Sequence, residues 1–350
     1  DEASFTYTPR RIPTAEDLTT PKAKNIIIVM DESIRWDMID LNHETISHPS
    51  TTPSLLDFPK ETLFNFGPTL AFSNCSNSSN FAIRKSPRLG KEASDLFIDK
   101  STIWELALQA GFKPYLFDAQ HNGKGHNFYT AQELQEVENI RASDITQDGE
   151  IFTLIEEVMS EDDSPKFIYI GLKGAHVPYV NYGFNEYFQP AMKNTNLHDA
   201  TPEEALNSYK NLVRANTDGF FSALKHFLNQ HPDTLLIYTA DHGQDLSNPK
   251  GKKTHCDLRN PSIDEGVVPM LLFNPQAFHS PFLTQFTENK LTAVPFYGRH
   301  RKVGDIFVLY FILFGNFVCQ TAKSGSQNDC CFRTCVHLSF QKSCCFLYFL

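Results

Sequence analysis

The chain has 350 residues, with 41 acidic against 31 basic side chains and a formal charge of −10. A charged fraction of 21% beside 30 Phe excludes a disordered chain. The acidic balance argues against a nucleic-acid partner, because phosphate neutralisation needs clustered Lys and Arg.

Residues 1–23 carry Pro9, Pro13 and Pro21 and read as a polar linker or arm; a start at Asp1 without Met reads as a fragment or processed form. Asn25-Ile-Ile-Ile-Val-Met30 is a continuous β-branched run, the pattern of a strand buried on both faces. Phe72 to Arg84 runs from small polar residues into an apolar stretch, as a loop entering a helix N-terminus does. Arg84 and Lys85 there could offset phosphate charge or line a solvated face. Ser101 to Gly111 is a helix by the spacing of Ile103, Leu106, Ala107 and Ala110, with Gly111 as its stop. Tyr115-Leu-Phe117 is a strand, and His121 to His126 behind it reads as a surface turn, with pocket lining or metal binding by its two histidines as the competing reading. Asp144 and Asp148 read as start residues for an amphipathic helix over Ile151 to Met159. Lys166 to Ile170 and Thr234 to Tyr238 are buried strands, with one long helix over 203–230 between them; Val267 to Phe273 is a further strand.

Two features mark the C-terminal part. Ile306 to Val318 is an apolar run of 13 residues, short of the roughly 20 that span a bilayer, and reads as a buried helix or strand. Six of the eight cysteines fall between Cys319 and Cys345, leaving Cys75 and Cys256 alone in the body. That distribution argues against a disulfide framework. It sets residues 319–350 apart as an atypical, poorly ordered tail, with 276–318 as an extension of the main domain.

Strands alternating with helices imply an α/β fold with a mainly parallel sheet covered on both faces, whose chemistry sits at the C-terminal strand edges. Asp31-Glu32 follow the first strand, His176 follows the strand at 166–170, and Asp241-His242 follow the strand at 234–238, with His255 a little further on. This oxygen and nitrogen set without thiolate suits zinc, manganese or calcium. The competing readings are helix N-capping for Asp31 and Glu32 and a structural hydrogen-bonding role for any single histidine.

The order of these motifs resembles the alkaline phosphatase/sulfatase superfamily, and within it the phosphoethanolamine transferases that modify lipid A and related glycans. Asn25 to Asp37, with its Asp31-Glu32-Ser33-Ile-Arg35, resembles that family's strand followed by Gly-Glu-Ser/Thr-x-Arg. Leu41-Asn42, Thr51-Thr52-Pro53 and Lys173-Gly-Ala-His176-Val-Pro178 resemble its Leu-Asn-Gly, Thr-Thr-Pro and Gly-Ser-His-Gly-Pro. Tyr209-Lys-Asn211 with Asp218, then Asp241-His242-Gly243-Gln244, Thr254-His255 and Val268-Pro269, resemble later motifs in the same order.

The resemblance covers about residues 24–275. It implies an alkaline-phosphatase-like three-layer αβα sandwich. It also implies a metal-dependent transfer of phosphoethanolamine, or a similar phosphoryl group, from a phospholipid to a glycan or lipid acceptor through a covalent enzyme intermediate. Glu32, Asp241 and His242 are its metal ligands, with Asp31 as a further ligand or a supporting group behind them, Zn2+ first and Mn2+ or Ca2+ as alternatives. His176 and His255 are its substrate-binding residues, holding the phosphate, or ligands of a second metal. The nucleophile is Ser76, with Ser78 and Cys75 behind it, because aligning the cysteines would put Asn77 where the transferases have Thr. The alternatives are a sulfate- or phosphate-ester hydrolase of the same fold, with formylglycine as its usual signature, and an inactive binding homologue. The resemblance places the chain in the cell envelope, outside the cytoplasm, with membrane association only through a preceding N-terminal part.

Overall fold

The computed structural model describes residues 23–277, apart from 47, 86–101, 121–126, 128, 143, 181–186, 252 and 258–260. The expectations for the N-terminal arm, the His121 to His126 turn, the 306–318 run and the Cys-rich tail lie outside the described residues.

Seven strands form one sheet: β1 (Asn25–Asp31), β2 (Leu63–Leu70), β3 (Lys113–Asp118), β4 (Glu138–Arg141), β5 (Lys166–Gly171), β6 (Thr234–Ala240) and β7 (Val267–Phe273). Their order is β2-β7-β6-β1-β5-β3-β4. All pairings from β6 to β4 are parallel, whereas β7 runs antiparallel to both β6 and β2. The helices are α1 (Ser76–Lys85), α2 (Ile103–Gln109), α3 (Ala131–Gln135), α4 (Ile151–Glu161), α5 (Pro202–Ala215), α6 (Thr217–Gln230) and the short α7 (Ile263–Gly266).

Strand alternation divides the interior into two cores. Ile27 and Val29 of β1, Ile168 and Ile170 of β5, and Leu236 and Tyr238 of β6 face a core built with α4, α5 and α6. Their neighbours Ile26, Ile28, Phe167, Tyr169, Leu235 and Ile237 face the other core, against Trp104 and Leu106 of α2 and Ile83 of α1. The uninterrupted apolar runs thus bury both faces of the sheet between helical layers, and each fully buried Ile or Leu contributes about 1.5–3 kcal/mol. α2 begins where the Thr102 side chain accepts from the Glu105 N–H, and it ends ahead of Gly111, whose φ of +81° closes the turn.

Two expected elements change. The single helix over 203–230 is two helices that meet at Asn216. There the Asn216 amide donates to the Gly174 carbonyl at 2.7 Å and the Thr217 hydroxyl donates to Asp31 at 3.0 Å, so the junction grips the loops at the strand edge. Asp148 is more than a helix-start residue. It is wholly buried, and its carboxylate accepts from the backbone N–H groups of Lys173 and Gly174 at 2.9 and 2.8 Å. β2 and β4 are strands that the sequence pattern does not announce.

Candidate active site

The register sets the strand ends level. Asp31 of β1 pairs with Ala240 of β6, and Met30 pairs with Gly171 of β5. The residues just past these ends therefore meet at one edge of the sheet. Glu32, Asp241 and His242 are all buried, and each offers a ligand atom within 4.8 Å of the others. The His242 Nε2 is 3.5 Å from Glu32 Oε1 and 3.8 Å from Asp241 Oδ2.

Each of these groups is aimed by the backbone. Asp241 Oδ1 accepts from the N–H groups of Ser33 and His242, at 2.9 and 2.7 Å. Its Oδ2 is buried with no hydrogen-bond partner among the described residues. His242 Nδ1 lies 2.8 Å from the Gly243 carbonyl, which requires the proton on Nδ1 and leaves the Nε2 lone pair facing the carboxylates. Glu32 Oε1 accepts from the Ser33 hydroxyl at 2.6 Å, and Oε2 accepts from the Gln120 amide at 3.2 Å. Ser33 has a φ of +64°, a left-handed conformation disfavoured for a residue with a Cβ. Its three polar groups hold it there, since its carbonyl also accepts from the Tyr209 hydroxyl at 2.7 Å.

Burial raises the Asp241 carboxyl from 3.8 to about 7, with the Glu32 charge adding to the rise. Burial also raises Glu32. Two buried carboxylates, one of them with an oxygen that has no hydrogen-bond partner among the described residues, converge with an imidazole lone pair on one point. The donor set fits a divalent metal such as zinc, which takes carboxylate oxygen and imidazole nitrogen ligands of this kind.

Ser76 is the first residue of α1 and faces this point. Its Oγ lies 3.0 Å from His242 Nε2 and 3.5 Å from Glu32 Oε1. Ser78 lies two residues further on, about 200° around the helix from Ser76, so it faces away from that point. Cys75 is corrected: it is bonded to Cys256 in a disulfide and has no thiol to act as a nucleophile. The two body cysteines read as solitary are therefore a pair.

Asp31 takes the second of its two expected places. Its oxygens accept from Tyr238 at 2.6 Å, from Thr217 at 3.0 Å and from the Glu32 N–H at 2.9 Å, so it braces the ligand loop from behind instead of joining the three-residue cluster. Burial and the neighbouring Asp148 hold its carboxyl well above the ordinary value. It does not cap a helix either. Arg84 faces neither phosphate nor solvent: it is wholly buried, paired with Glu133 at 3.1 Å and set over the Tyr129 ring.

His255 stacks on His242, with ring centroids 4.4 Å apart, and His176 lies edge-on to His255 at 5.7 Å. Burial and the two neighbouring imidazoles lower His255 to about 3, so it is neutral at physiological pH. Its Nδ1 lies 3.3 Å from the Gln244 side-chain oxygen. His176 is exposed at the rim. Sequence reasoning missed Gln120, which comes just after β3 as Glu32 comes just after β1. The signal that could have found it is its place two residues past the end of a buried strand.

The Sulfatase family matches residues 24–297. The chain belongs to the sulfatase family. Within it, the chain is similar to phosphoethanolamine transferase EptC of Escherichia coli (strain K12), 22% identical over 295 residues, or 78% of this chain and 49% of that protein. The chain thus spans about half the length of the curated relatives it matches. Among solved structures, the soluble domain of lipooligosaccharide phosphoethanolamine transferase A from Neisseria meningitidis matches with a TM-score of 0.65 at 16% identity, over 85% of this sulfatase-family chain and 91% of that one. The periplasmic domain of E. coli EptC in complex with Zn matches with a TM-score of 0.59 at 18% identity, over 77% of each chain. These likenesses bear out the alkaline-phosphatase-like fold.

Proposed function

We propose that this sulfatase-family chain is the catalytic part of a metal-dependent transferase. It moves phosphoethanolamine, or a similar phosphoryl substituent, from a phospholipid to a glycan or lipid acceptor. The observation that carries this reading is the position of the Ser76 hydroxyl, 3.0 Å from His242 and 3.5 Å from Glu32 at the mouth of a buried carboxylate–imidazole cluster.

Glu32, Asp241 and His242 would hold the metal, with zinc as the assignment. When bound, such a cation supplies a Lewis acid that lowers the pKa of a neighbouring hydroxyl and offsets phosphoryl charge. Ser76 Oγ loses its proton and forms a bond to phosphorus, while the bond from phosphorus to the diacylglycerol oxygen breaks and that oxygen leaves as a hydroxyl, taking up one proton. The acceptor hydroxyl then attacks the phosphoseryl group and frees Ser76. His255 and His176 bind the phosphoryl oxygens. The disulfide at Cys75 speaks against a formylglycine made from that cysteine, since the conversion would need its free thiol.

By analogy with the domains named periplasmic among its neighbours, the chain works in the cell envelope. Among the described residues no helix is long and apolar enough to cross a membrane. The test is turnover of a fluorescent phosphatidylethanolamine by the zinc-loaded protein, with and without a lipid A-type acceptor. Labelled diacylglycerol should appear together with ethanolamine phosphate on the acceptor, and a chelator should stop both. Free ethanolamine phosphate as the only second product would instead favour the hydrolase.

A further inference from the structure

We infer that the Cys75–Cys256 disulfide is a positioning clamp that sets Ser76 against His242 and His255; this rests on the reading of Ser76 as nucleophile. The connectivity is the first observation. Cys75 immediately precedes Ser76 at the start of α1, and Cys256 immediately follows His255. One covalent link, closing 181 residues of chain, therefore joins the segment bearing the hydroxyl to the segment bearing the imidazole.

Hydrogen bonds run beside it. The Cys256 N–H donates to the Asn74 carbonyl at 2.8 Å. The Asn74 amide donates to the Asp257 carbonyl at 3.2 Å and to Glu265 at 2.6 Å. A second observation shows that the link holds a shape the backbone alone disfavours. Cys256 has a φ of +60°, in the left-handed region that residues with a Cβ avoid. Without the link the loop can relax toward the ordinary regions, and the adjacent His255 would leave its stack on His242. Glu32, Asp241 and His242 are anchored on β1 and β6, so the same loosening leaves the metal cluster in place.

The clamp thus acts on the rate of the chemical step and not on metal binding. The experiment compares full-chain wild type, C75S/C256S and C75A/C256G; the glycine accepts the positive φ and guards against a misfold at 256. Zinc affinity by calorimetry should stay within about threefold of wild type, whereas kcat should fall by about a hundredfold, the scale of an ångström-sized misplacement. In the S76A background, removing the disulfide should change the residual rate no further. The His255 ring protons, shifted by the His242 ring current in NMR spectra, should move toward ordinary values in both cysteine variants.

Wild-type kcat together with an unmoved His255 spectrum in either folded variant overturns the clamp, whatever Ser76 does. A fully active S76A protein overturns the nucleophile reading instead, and the His255 resonances then still decide for or against the clamp.

Discussion

Asp241 is the residue on which the site's electrostatics turn. One oxygen accepts from two backbone N–H groups and the other has no partner among the described residues. Asp241→Asn keeps an acceptor for Ser33 and His242 but removes the charge. It should weaken zinc binding by at least about a hundredfold in calorimetry, with the fold retained. Its titration gives a second expectation. The folded carboxyl, near 7, lies above its ordinary 3.8. Its contribution to stability is therefore full below the unfolded value and is lost as pH rises through the folded one. The metal-free protein should lose stability between about pH 4 and 7, and zinc should offset more of that loss as pH rises. Thermal melts with zinc and with chelator across that window measure the gap, and a pH-independent gap would contradict the ligand assignment. At this scale Glu32, Asp241 and His242 were readable because each lies just past a buried-strand pattern. The Cys75–Cys256 pairing was not, because nothing in the spacing of two residues 181 apart shows that their loops touch.

The elements explain why the site is held so firmly. The loop after β5 carries His176 and passes directly under the Asp31–Glu32 turn. Gly174 sits there with a φ of +54°, and a Cβ on it would stand 2.2 Å from the Glu32 carbonyl oxygen. Neither the backbone angle nor the space admits a side chain. Gly174→Ala should lower stability by roughly 2 kcal/mol or more, read as the denaturant midpoint, and should disturb zinc binding through Glu32. The strands at this edge could be found from sequence because strands buried on both faces are apolar without interruption. β2 was hidden because Asn65, Gly67 and Pro68 break the pattern of an edge strand, and β4 because it is only four residues long. The division of α5 from α6 escaped because Asn216 and Thr217 do not break a helix by propensity. They are placed by their bonds to Gly174 and Asp31.

At the scale of the molecule, and among the described residues, a two-faced core supports the reactive edge, and a covalent link joins segments far apart in the chain. Cutting that link should lower stability as well as rate. For a loop of this length, C75S/C256S should be less stable than wild type by roughly 2–5 kcal/mol in denaturant melts. The fold class was legible because alternating strand and helix patterns leave few architectures. Under the proposed transfer, Ser76 becomes covalently loaded during turnover. To see it, the zinc-loaded full chain is mixed with phosphatidylethanolamine in detergent micelles, quenched in acid, digested, and its peptides mapped by mass spectrometry. One ethanolamine phosphate is expected on Ser76 in wild type and none in Ser76→Ala, with transfer in that variant reduced by at least about a thousandfold. Turnover at the wild-type rate with Ser76 unmodified, or with the adduct on another residue, would contradict it.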